Sequence, residues 1–94
     1  MLIAMICTDK PNHQDVRQTM RPAHLEWLEK SGVTLVHAGP ILADDAQTPI
    51  GSLILAEFET LAAARAAQKN DPYEKAGLFA GVTIQPIRKV LPAA

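Results

Sequence analysis

Three histidines, one cysteine and an aspartate placed before a proline are the side chains of this 94-residue sequence best suited to chemistry. His13, His24 and His37 lie 11 and 13 residues apart, and neither these intervals nor Cys7 completes a metal-ligand spacing, so no metal site is expected. Cys7 sits in an apolar run, where a cysteine serves as a small filler rather than a nucleophile. His13 opens a helix and belongs in solvent, while His37 falls in a strand as a packed or rim residue. His24 is different: at about 100° per helical residue it lies roughly 40° from Leu28 and away from Glu26 and Lys30, on the apolar side of its helix. Arg17 and Arg21 lie on or near that side one and two turns earlier, so a core-facing stripe begins polar and ends apolar. The mouth of a pocket has this pattern, and so does a hydrogen-bonded core histidine beside two arginines that snorkel to water. Spacing leaves both open. Asn70-Asp71-Pro72 is ordinary turn chemistry by itself, and no spacing argument brings Asp71 to His24.

The elements that must position these residues follow from periodicity. Met1 to Cys7 is short and almost unbroken in its apolarity, which suits a strand covered on both faces. After the break at Asp9-Lys10-Pro11-Asn12, Asn12 is expected to cap a helix in which Val16, Met20, Leu25 and Leu28 recur, ending at Gly32. Pro22 removes a backbone donor inside it and predicts a kink or restart. Val33 to Ala38 reads as a second strand stopped by Gly39-Pro40, with Ile41 and Leu42 as a possible continuation. The polar stretch from Ala43 to Pro49 is a loop, and Ile50 to Phe58 a third strand at the sheet centre. Thr60 caps an alanine-rich second helix that ends near Asn70, a short turn passes through Tyr73 and Gly77, and Val82 to Gln85 alternates as a last, edge strand.

Strand, helix, strand, strand, helix, strand is the split βαβ order of a ferredoxin-like α+β fold. One domain fills residues 1–94, with 1–88 as core and 89–94 as a tail. Helices then cover one sheet face, and the apolar residues on the other call for a partner, most simply an identical sheet across a two-fold axis. Nine Lys and Arg against ten Asp and Glu leave no basic stripe for nucleic acid. The start lacks the basic residues of a signal peptide, and no apolar run approaches the roughly 20 residues of a membrane span. A cytoplasmic, reduced protein is the expectation.

Four separated blocks, Arg21-Pro22-Ala23-His24-Leu25-Glu26-Trp27-Leu28, Ala38-Gly39-Pro40-Ile41-Leu42, Pro49-Ile50-Gly51-Ser52 and Asp71-Pro72-Tyr73-Glu74-Lys75-Ala76-Gly77-Leu78-Phe79, together resemble the YciI-like (YCII-related) family in order and spacing. The resemblance spans nearly the whole chain. It implies a dimeric ferredoxin-like α+β barrel, similar in fold to muconolactone isomerase, with a pocket histidine and aspartate that match His24 and Asp71. Gly39, Pro40, Gly51 and Gly77 match the family's pattern, and glycines of this kind allow close backbone approach or positive φ around a pocket. Tyr73 of the last block joins the expected substrate-binding residues, as does Arg21, for which holding an anionic substrate stands beside the commoner role of pairing Glu26 at the surface. One branch of the family includes a dehydrochlorinase of a chlorinated hydroxyquinol; most members have no established substrate.

Imidazole gives and takes protons near neutral pH, and a carboxylate fixes its tautomer and stabilises its cation. With no Ser or Cys assigned beside the base, isomerisation or elimination by a His–Asp dyad fits better than acyl-enzyme chemistry, and no cofactor is needed. The partners expected are a second copy of the chain and a small anionic or aromatic metabolite. Two other readings stand beside this one: a ligand-binding or accessory module without turnover, and a structural dimer in which the pair only satisfies buried polar groups.

Overall fold

The computed structural model describes residues 1–93, so the last tail residue lies outside the described part of the chain. Strand β1 (Leu2–Asp9) leads into α1 (Gln14–Lys30), then β2 (Thr34–Leu42), β3 (Pro49–Glu57), α2 (Leu61–Gln68), the one-turn α3 (Pro72–Lys75) and β4 (Phe79–Pro86). The four strands form one antiparallel sheet in the order β2-β3-β1-β4, the α+β ferredoxin-like arrangement. The two most continuous apolar runs, β1 and β3, take the centre, and β2 and β4 form the edges.

Register decides which side chains meet. Met5 faces Ile54, Ile3 faces Ala56 and Cys7 faces Ser52, so these share the helix-covered face. Ile3, Met5, Ile54 and Ala56 pack with Leu28 of α1 and Ala64 of α2, where the alanine's small side chain lets the helix approach the sheet. A second cluster gathers Cys7, Tyr73, Leu78 and Phe79 beneath Val16 and Met20 of α1. The helix α1 thus spans two cores, and its charged and polar inward positions, Arg17 and His24, sit in the structure as buried residues.

Local expectations hold in part. Thr60 caps α2 by accepting the Ala63 N–H at 3.0 Å, and β4 is an edge. Asn12 does not cap α1: it adopts φ +59, and His13 occupies the cap position without a side-chain bond. Helix α1 continues through Pro22 without a restart, and Pro22 lies on the exposed side, where the carbonyl it leaves unbonded can be hydrated. Gly39-Pro40 does not stop β2 either. An edge strand needs donors on one side only, and β2 runs through Pro40, opposite Ser52, to Leu42. The turn after α2 proves to be α3, with Pro72 at its first position and Gly77, at φ +74, following it. No helix among the described residues is long and apolar enough to cross a membrane.

Candidate active site

Asp71 is placed by its own local chemistry. It precedes Pro72 in extended conformation and caps α3, its Oδ1 accepting the Tyr73 N–H at 2.9 Å. The same oxygen lies 2.8 Å from His24 Nδ1, and both residues are buried, Asp71 at 1% exposure. A carboxylate accepts there, so Nδ1 carries the hydrogen and Nε2 has the free lone pair. The imidazole stacks on the Tyr73 ring, centroids 4.0 Å apart and planes 15° from parallel, and the Trp27 ring lies 5.9 Å away, tilted by 37°. Gln68, buried in α2, donates to Glu74 at 2.9 Å and ties α3 to the helix before it.

A cavity of about 390 Å³ opens between α1 and the β2–β3 side of the sheet, large enough for a ring-sized molecule. His24, Arg17, Arg21, Gln14 and Gln18 supply its polar lining from α1, Ser52 from β3, and Leu25, Leu28, Ala38, Pro40 and Tyr73 much of its apolar wall. No side-chain nitrogen or oxygen among the described residues is both enclosed and unpartnered, and His24 Nε2 has no protein partner. It therefore reaches the cavity.

Of the expected site residues, His24, Arg21, Gly39, Pro40 and Tyr73 line this cavity and Asp71 stands directly behind His24. Gly51 and Gly77 do not line it. Gly51 is where β3 passes so close to β1 that a Cβ would collide with the Cys7 carbonyl oxygen, and Gly77 lets the chain turn from α3 into β4. Arg21 is exposed at the rim and does not pair Glu26, whose carboxylate takes Lys30 at 2.7 Å.

Arg17, for which spacing leaves a pocket mouth and snorkelling to water both open, is 7% exposed and forms a two-bonded ion pair with Asp9, Nε to Oδ2 at 2.7 Å and Nη2 to Oδ1 at 2.9 Å. Burial opposes its charge, but the bonded Asp9 carboxylate outweighs that and raises its pKa. Burial also raises the Tyr73 phenol, against the pull of Arg17 and Arg21, and keeps it neutral. The Cys7 thiol is pushed up to about 12, first by burial and then by the charges of Asp71 and Glu74, so it is no nucleophile at neutral pH. Neither Asp9 nor Ser52 carries a sequence signal for this role. Asp9 sits at the end of β1 and Ser52 opposite Cys7 in β3, and only the sheet register brings them to α1.

An α+β sheet with one covered face and a buried histidine–aspartate contact beside a cavity defines the class of domain. The chain belongs to the YCII-related domain family, whose pattern matches residues 1–88. It is 39% identical to Protein YciI of Escherichia coli O6:H1 over 98 aligned positions, covering 96% of this chain and 99% of that one. A protein of Haemophilus influenzae is 35% identical over 97 positions with the same coverage. Among solved structures, the 5-chloro-2-hydroxyhydroquinone dehydrochlorinase TftG of Burkholderia phenoliruptrix AC1100, in complex with 2,5-dihydroxybenzoquinone, superposes with a TM-score of 0.83 at 31% identity over 94% of each chain.

Proposed function

We propose that this protein is a cofactor-independent enzyme of isomerase or lyase type, dehydrohalogenases included, in which His24 transfers a proton and Asp71 orients it. The observation that carries this reading is the 2.8 Å contact between His24 Nδ1 and an Asp71 carboxylate already fixed by a backbone N–H, with Nε2 open to a cavity. A buried acceptor behind Nδ1 leaves Nε2 as the base and stabilises the imidazolium that forms. In an elimination, Nε2 takes a proton from the substrate, the electron pair left behind forms the new double bond, and the halide leaves with its bonding pair. In an isomerisation the same proton returns at another atom. Arg21 at the rim attracts an anionic substrate, and the flat Tyr73 and the Gly39-Pro40 backbone shape the cavity for a planar ring. The likeness to a dehydrochlorinase that acts on a hydroxylated ring supports the same substrate class here.

The test is a panel of hydroxylated and halogenated aromatic anions and unsaturated lactones, screened first by thermal shift and then for turnover. The proposal expects at least one compound to raise Tm and to be converted. A compound that binds without being converted favours an accessory or binding module, and a panel with neither effect contradicts the enzyme.

A further inference from the structure

Arg17 enters the cavity already immobilised. Nε and Nη2 donate to the two oxygens of Asp9, Nη2 donates again to Ser52 Oγ at 2.9 Å, and Cζ lies 4.6 Å from the centre of the Tyr73 ring. These bonds occupy three of the five guanidinium N–H groups. Nη1 donates none of the hydrogen bonds just named, the Tyr73 side chain stands close enough to favour the guanidinium charge, and Arg17 lines the cavity. The His24 imidazole lies against the same tyrosine ring. Base and guanidinium thus both pack on Tyr73 and both line the cavity.

We infer that the Nη1 edge of Arg17 is the oxyanion-binding group of this cavity, donating to the substrate oxygen on which negative charge builds when His24 removes a proton. The inference rests on the proton-transfer reading for its catalytic meaning but not for its binding. Removing a proton from a hydroxylated ring places the charge on a phenolate or enolate oxygen, and a fixed charged donor stabilises that oxygen without having to reorganise. Arg17 meets the requirement because Asp9, Ser52 and Tyr73 hold it from three directions. Arg21, exposed and without a protein partner among the described residues, can draw an anion in but cannot hold it to one geometry.

The experiment is an equilibrium titration with 2,5-dihydroxybenzoquinone and with its dimethyl ether, which has the same ring without the ionised oxygens. The wild type is expected to bind the ether at least about tenfold more weakly, the scale of a lost charge-assisted hydrogen bond. Arg17→Lys, which retains a cation for Asp9 but has no Nη1, should bring that ratio within about threefold, a larger loss than Arg21→Met causes by removing charge at the rim. The inference is overturned if the wild type binds both equally or neither, or if Arg21→Met loses as much of the ratio as Arg17→Lys. If Arg17→Lys does not fold, Ser52→Ala, which frees Nη2 and loosens the guanidinium, should lower the ratio in its place, and an unchanged ratio there overturns the inference. Selective binding through Arg17 with no turnover of any substrate would remove the proton-transfer reading and leave the oxyanion site. Turnover that depends on His24, with an unchanged ratio in Arg17→Lys, would do the reverse.

Discussion

A carboxylate that already accepts a backbone N–H is a fixed object, and that is what Asp71 offers His24. Its Oδ1 is shared between Tyr73 N–H and the imidazole, so the histidine inherits the rigidity of a helix cap. Asp71→Asn should reduce turnover by about 10²- to 10⁴-fold, because an amide can present the wrong hydrogen-bonding edge and leave the other tautomer in the cavity. Nitrogen chemical shifts of His24 would show this as an exchange of the protonated site from Nδ1 to Nε2. If the pair were only structural, the main effect would be a loss of about 1–3 kcal/mol in stability with the tautomer unchanged. Cys7 makes a separate prediction. Its thiol keeps its proton in the folded protein up to about 12, whereas the unfolded chain releases it near the ordinary thiol value of 9.0. Its contribution is therefore complete below pH 9 and is lost as pH rises through the folded value, with the raised Tyr73 phenol acting in the same direction. Cys7→Ala should flatten alkaline unfolding between those limits, and iodoacetamide should label the native wild type only slowly at pH 7.

At the level of elements, helix ends and strand contacts explain most of what holds the site in place. Thr60→Ala removes the cap of α2 and should lower stability by about 1 kcal/mol in chemical denaturation. Gly51→Ala forces β3 away from the Cys7 carbonyl and should cost about 1–3 kcal/mol, more than an ordinary surface change. The same elements show what a sequence discloses. Apolar runs, the Thr60 cap and the βαββαβ order were legible because each is a local pattern, and the amphipathic placement of His24 marked it as inward. The contact to Asp71 was not, since it joins residues 47 apart and needed the family likeness to suggest it. Spacing leaves Arg17 open between a pocket mouth and snorkelling to water, because its partners come from two strands whose register no helical period encodes. Asn12 takes φ +59 in place of the cap, and Pro40 is tolerated in β2 because a missing donor costs nothing on the free side of an edge strand.

In the whole molecule, one sheet face lies under the helices and the other carries an apolar centre. Ile6 faces Leu53, Ala4 faces Leu55 and Ile41 faces Gly51 on that open side, with Ile6 43% exposed. We expect a second copy to cover it, giving a homodimer at micromolar concentration in sedimentation; a folded monomer there would contradict this, and Ile6→Glu should produce one. The cavity lies on the opposite, helix-covered side, so changes at His24 should leave assembly intact. That separation makes one measurement decisive: turnover of the panel of hydroxylated and halogenated aromatic anions and unsaturated lactones by the wild type and by His24→Ala, with dimer and secondary structure checked in the same samples. The wild type is expected to convert at least one compound, with at least a ~10²-fold loss in a variant that remains folded and assembled. No conversion of any of them by the wild type, or equal conversion by His24→Ala, would contradict the proton-transfer reading.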